Sequence, residues 1–182
     1  MSLALRLLDV YVPEPLKKRI LRDIFSSTAQ AFGTAPPETK GLSSGRLLEA
    51  YAHFTRNAAA EVLSKEGEWE AVRLRLFQNA SALGSVLRER FHLRSREDIL
   101  KMSGIIYKIL GISFEGRSDG EVVIRSCTFS RFYTGRVCRL ISALDEGAAA
   151  GLSGGGRLEF FCRMTDGHDC CRGHLLFKDG GP

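Results

Sequence analysis

The chain has 182 residues, 44% hydrophobic and 26% charged, a composition ordinary for one globular unit with a sizeable core. Its 26 basic and 21 acidic residues leave a formal charge of +5 that is spread rather than concentrated. The tightest basic run, Lys17-Lys18-Arg19 with Arg22, falls on an amphipathic helix without interleaved aromatic residues, so nucleic-acid binding is not expected.

The first dozen residues, MSLALRLLDVYV, are apolar but interrupted by Arg6 and Asp9, and Pro13 and Pro15 end the run. No small-residue cleavage site follows, so a short packed helix is expected rather than a secretory signal, with a membrane-surface helix as the alternative. No uninterrupted apolar stretch is long enough to cross a bilayer. A cytoplasmic address is expected, with reduced thiols rather than a disulfide framework.

Residues 1–111 read as helix and form the N-terminal helical part. Pro15 suits a helix start, and Leu16, Ile20, Ile24 and Phe25 recur at helical spacing. Gly33 to Ser44, with two prolines, is a loop. Ser43 or Ser44 caps a helix carrying Leu47, Leu48, Tyr51 and Phe54. Trp69, Val72, Leu76, Phe77, Leu83 and Leu87 continue the pattern. Ser95-Arg-Glu-Asp98 is a capping box ahead of Ile99, Met102, Ile106 and Leu110.

The pattern changes at Gly111, where a cysteine-rich part, 112–182, begins. Ile112–Phe114 and Glu121–Ile124 read as antiparallel strands about a turn at Arg117–Gly120. Val137, Leu140, Ile141, Leu144 and Ala148 lay out one helix face. Gly151–Gly156 reads as a flexible connection; its glycines follow a helix and precede a strand, the reverse of a phosphate loop, and mark a helix stop and turn. Residues 157–164 and 171–177 are expected to pair as a hairpin about Asp166-Gly167. The sum is an α+β fold: a helical layer, then a small antiparallel sheet with one crossing helix.

All five cysteines lie in this last third, with His168 and His174 among them. Zinc is held tetrahedrally by thiolate, imidazole and carboxylate, and Cys138, Glu159, Cys162 and Cys170 supply such a set, with His168 as a substitute for Glu159. Residues three apart on a regular strand face opposite ways, so Glu159 and Cys162 share an ion only across a bulge or strand end. The alternative is that Cys138 and Cys162 are small buried apolar residues. Cys127, Asp145 and Glu146 are the catalytic candidates, together with Cys138 and His168. Asp145 lies seven residues after Cys138, so both project from one side of a helix.

Val137-Cys138, a helix, a glycine connection and Glu159-x-x-Cys162-x7-Cys170 resemble the closing part of the 4-vinyl reductase domain. That resemblance implies a structural zinc on Cys138, Glu159, Cys162 and Cys170 beside a pocket for an aromatic ligand. Cys127-Thr-Phe-Ser-Arg-Phe-Tyr133, Val137-Cys138-Arg-Leu, Asp145-Glu-Gly147 and Arg-x-Thr-Asp-Gly-x-x-Cys-Cys-Arg resemble the family named for L-2-amino-thiazoline-4-carboxylic acid hydrolase. It implies hydrolytic opening of a small sulfur heterocycle. The expected function is therefore a small-molecule hydrolase. The alternative is a metal-stabilised ligand-binding or sensor module without catalysis, and a third reading is an interaction protein. The expected partner is a small-molecule ligand or substrate, with a homodimer as the assembly.

Overall fold

The structure is a computed structural model and describes residues 3–178. Helix α1 (Leu3–Val10) buries Leu5 and leaves Leu7 and Val10 exposed. Residues 1 and 2 of the expected first helix lie outside the described residues. Four longer helices follow: α2 (Glu14–Ala31), α3 (Ser44–Ser64), α4 (Glu68–Phe91) and α5 (Arg96–Ile109). Their starts are set where the sequence places them. Ser43 Oγ accepts the Arg46 backbone N–H at 3.3 Å, and Ser95 Oγ accepts that of Asp98 at 3.1 Å. Pro15 sits in the first turn of α2, where its missing N–H costs nothing. A side-chain cap of this kind is worth about 1 kcal/mol.

The chain then enters an antiparallel sheet of β1 (Ile112–Gly116), β2 (Glu121–Cys127), β3 (Arg157–Cys162) and β4 (Cys171–Leu176), in the order β1-β2-β4-β3. Both expected hairpins form. The 3₁₀ turn Met164–Asp166 and Gly167, at φ 92°, connect β3 to β4. A bulge lies between Phe160 and Cys162, so Glu159 faces His174 but Cys162 faces Arg172. One face of the sheet presents Val122, Ile124, Leu158 and Leu175 to the helices. The other carries the ion pairs Arg125–Glu115 at 3.2 Å, Arg157–Glu159 at 2.7 Å and Arg117–Glu121. The fold is α+β. Leu47, Ile99, Val122, Leu152 and Leu175 belong to one buried cluster, so the helical and cysteine-rich parts share a core.

Between the two hairpins run α6 (Gly135–Ile141) and α7 (Ala143–Ser153). The expected single helix is thus divided at Ser142, whose hydroxyl turns back to the Arg139 carbonyl at 3.0 Å. The expected glycine connection is also shorter than it reads. Gly151 is inside α7, and Gly154, at φ 74°, is the left-handed residue that stops the helix. Gly147 and Gly151 belong to a close crossing of α7 over α4. A methyl group on Gly147 would sit 2.2 Å from the Phe77 carbonyl oxygen, and one on Gly151 2.2 Å from that of Ser81. From the other side, a methyl on Gly84 would lie 2.7 Å from the Ala148 carbonyl oxygen. The obstacles are backbone atoms, which no side-chain rotation relieves. Gly147→Ala and Gly151→Ala are each expected to lower stability by about 1–3 kcal/mol in urea denaturation. Gly45→Ala, on an open helix surface, is expected to be neutral or slightly stabilising.

Candidate functional site

Where α7 crosses α4, it leaves a gap between the helices and the inner face of the sheet. The gap is a cavity of about 420 Å³, walled by α2, α4, α5, α7 and the sheet. Most of its lining is apolar: Ile20, Ile24, Leu87, Ile106, Val122 and Leu175 are representative. Seven Phe and Tyr rings also border it, and five of them, Tyr51, Tyr107, Phe114, Phe129 and Tyr133, pack against one another. Tyr107 stacks on Phe114 with centroids 4.8 Å apart, Phe129 stacks on Tyr133 at 5.5 Å, and Tyr51 meets Phe129 edge-on. Two of the phenols are tied back: Tyr51 to Thr28 at 3.0 Å, and Tyr133 to Thr55.

One region of the wall is polar. Asp145 on α7, Tyr107 on α5, Cys127 at the end of β2, Cys138 on α6, Arg163 after β3 and Cys171 on β4 all border it. Tyr107 Oη donates to Asp145 Oδ1 at 3.0 Å. Asp145 is partly accessible and borders the cavity, with its carboxyl surrounded by protein. Burial pushes it up to about 6, against the Tyr107 hydrogen bond and the nearby Arg163 guanidinium, which pull it down. Among the described residues no ion pair holds Asp145, and the Arg163 guanidinium lies over the Phe160 ring, 4.8 Å from its centroid. Burial also pushes the Cys127 thiol up to about 11 and raises Cys171 and Tyr107. Thr165 Oγ1, buried in the same wall, has no hydrogen-bond partner in the protein.

The expected catalytic residues divide between this cavity and elsewhere. Cys127 and Asp145 border it. Glu146 does not: it points to α4 and forms an ion pair with Arg73. The cavity thiol Cys127 is protonated at neutral pH, a poor state for a nucleophile.

The expected zinc ligands divide as well. The bulge does bring Glu159 and Cys162 to one face of the sheet, the face turned away from the cavity. There Glu159 is half exposed and paired with Arg157, and Cys162 Sγ lies 3.6 Å from the Cys170 carbonyl oxygen. Cys138 borders the cavity, as Cys162 and Cys170 do not, and His168 is exposed in the hairpin turn. Among the described residues no group of three or more His, Cys, Asp or Glu side chains could hold a metal ion. As arranged, this set does not fit zinc. All five cysteines are free.

Tyr107, Arg163, Cys171 and Thr165 are site residues that the sequence reading did not single out. Cys171 had a usable signal, because it alternates in phase with the buried Gly173 and Leu175. Tyr107 had none, since it sits in a helix of many apolar residues. No family model matches this chain, and no curated protein matches it at a significant level. Among the described residues no helix is long and apolar enough to cross a membrane.

Asp145 makes the fold sensitive to pH. Its pKa is raised on folding from 3.8 to about 6, so the fold favours the neutral carboxyl. That contribution is fully present below pH 4 and is lost as pH rises through 6. Stability of the parent relative to Asp145→Asn should therefore fall between pH 4 and 7, with a slope of at most about 1.4 kcal/mol per pH unit. Urea denaturation of both proteins across this range measures it; a parent that gains stability over the variant would contradict the assignment. In the same preparation, Cys127 should resist alkylation by iodoacetamide at pH 8 and react at the rate of an ordinary thiol once denatured, as peptide mapping would show.

Proposed function

We propose that this chain binds a small, mostly apolar molecule in the cavity between its helices and sheet, with the polar head of that molecule at Asp145. The observation that carries this reading is a cavity of about 420 Å³ with an apolar lining and one convergent polar region. Ligand pockets in proteins are typically about 300–1,000 Å³, largely apolar, with a few placed polar groups. The Asp145 carboxyl, bonded to Tyr107 but without a counter-ion, is the group that a ligand head would satisfy. The resemblance to 4-vinyl reductase domains points the same way, toward an aromatic ligand beside a cysteine-rich hairpin.

A neutral aromatic probe tests it. Toluene at saturating concentration should raise the melting temperature of the parent by several degrees, since a ligand at 100 times its Kd stabilises the fold by about 2.7 kcal/mol. Ile124→Trp places a large ring in the cavity from β2. In a folded Ile124→Trp protein the shift should disappear. An equal shift in both proteins, or none in the parent, would count against the cavity as the binding site.

A hydrolase is the second reading, and the observation favouring it is the same carboxyl. With its pKa near 6, Asp145 is mostly ionised at pH 7.5 yet close enough to neutrality to act as a general base toward water. The aminothiazoline carboxylate family supplies the substrate to try. Hydrolysis of L-2-amino-thiazoline-4-carboxylate should then rise with pH through about 6 and fall by 100-fold or more in Asp145→Asn. Activity retained in that variant would remove Asp145 from the chemistry.

A further inference from the structure

We infer that the ligand of this cavity carries a positive charge: an amine on an apolar body, its ammonium against Asp145 and its body among the aromatic rings. This rests on the cavity being a binding site and specifies what it takes.

The geometry supports a cation in two independent ways. The first is an incomplete ion pair. Oδ1 of Asp145 is occupied by the Tyr107 hydroxyl, and no Lys, Arg or His nitrogen of the described residues comes within ion-pair reach of either oxygen. Arg163, the nearest cation, is turned over the Phe160 ring. A buried carboxylate without a counter-ion is costly, and a cation brought to it in a low-dielectric site is held far more strongly than in water. The second is the ring set. Tyr51, Tyr107, Phe114, Phe129 and Tyr133 border the same cavity, and the π faces of aromatic rings attract a desolvated cation by about 1–2 kcal/mol each when well placed. An anionic head would meet the Asp145 carboxylate beside it, and could reach only the in-plane N–H groups of Arg163, whose face is stacked on Phe160. A neutral head would leave the carboxylate without a counter-ion.

The titratable and charged groups around Asp145 are Tyr51 on α3, which burial keeps neutral, Tyr107 on α5, Cys127 on β2, Cys138 on α6, Arg163 after β3, Cys171 on β4 and its neighbour Glu146 on α7. Tyr107, Cys127 and Cys171 are raised above their ordinary values and stay neutral at pH 5–7.5, while Glu146 is held by Arg73. Asp145 is therefore the group whose ionisation in this range sets the charge presented to the head.

Three probes with the same carbon skeleton decide it: 2-phenylethylamine, 2-phenylethanol and phenylacetate, titrated into the full chain by calorimetry at pH 7.5 and pH 5. At pH 7.5 the amine should bind at least tenfold more tightly than the alcohol, and the carboxylate more weakly than either. At pH 5, where Asp145 is mostly protonated, the amine's advantage over the alcohol should shrink by about tenfold. In Asp145→Asn the ratio of amine to alcohol affinity should be near one at both pH values. If that variant does not fold, the pH comparison on the parent still decides. An alcohol that binds as tightly as the amine at pH 7.5, or a carboxylate that binds most tightly, would overturn the amine while leaving the cavity reading in place. Failure of all three to bind would overturn both.

Discussion

The crossing of α7 over α4 is the contact on which the other features depend. Gly84, Gly147 and Gly151 let two helix backbones approach where a single methyl on any of them would collide with a carbonyl oxygen or amide. This closeness holds α7 at a fixed height above the sheet. The cavity is the space left beneath it, and Asp145, two residues before Gly147, is carried into that space by the same helix. Its neighbour Glu146, about 100° further round, meets Arg73 on α4 and fastens the crossing with an ion pair. Packing and site are therefore one construction. Loosening the crossing would move the carboxyl, its Tyr107 partner and the cavity wall together.

The first turn of α7 favours an acidic residue at Asp145 by only about 0.3–1 kcal/mol, less than burying a carboxylate without a counter-ion costs. An apolar residue would fill its place without the desolvation penalty, and Tyr107 could be replaced by Phe on the same stack with Phe114. Both polar groups instead face an apolar space, bonded to each other at 3.0 Å. Local choices that oppose stability in this way concentrate at functional sites. The surrounding thiols do not oppose it: Cys127 and Cys171 behave as small buried groups with raised pKa values, consistent with a wall rather than a nucleophile.

Much of the fold was legible because it is written in local signals. The Ser43 and Ser95 caps, the turn at Arg117–Gly120 and the Asp166-Gly167 hairpin depend on residues near in sequence, and each forms where read. The spacing of Cys138 and Asp145 was informative even though the helix breaks at Ser142 between them, because both side chains still border the cavity. The glycines of α7 misled, since a residue that loosens an isolated helix is required when another backbone passes over it. The zinc set depended on strand phase. The bulge after Phe160 turns Cys162 to the outer face with Glu159, while Cys138 stays on the inner side. Tyr107 and Arg163 reach Asp145 only through tertiary packing, 38 positions away in the first case, and no local pattern marks them.

The carboxyl of Asp145 itself is the most direct thing to measure. Aspartate labelled with ¹³C at Cγ, followed by NMR across pH 3–9 and assigned through loss of its signal in Asp145→Asn, gives the titration of this one group. A midpoint near 6 in the free protein, moving downward when 2-phenylethylamine is added, is the expected result for a buried carboxyl that lacks a counter-ion. A midpoint near 4 that no amine moves would mean that Asp145 is either solvated or already paired, and neither the cavity's polar head site nor its preference for a cation would survive it.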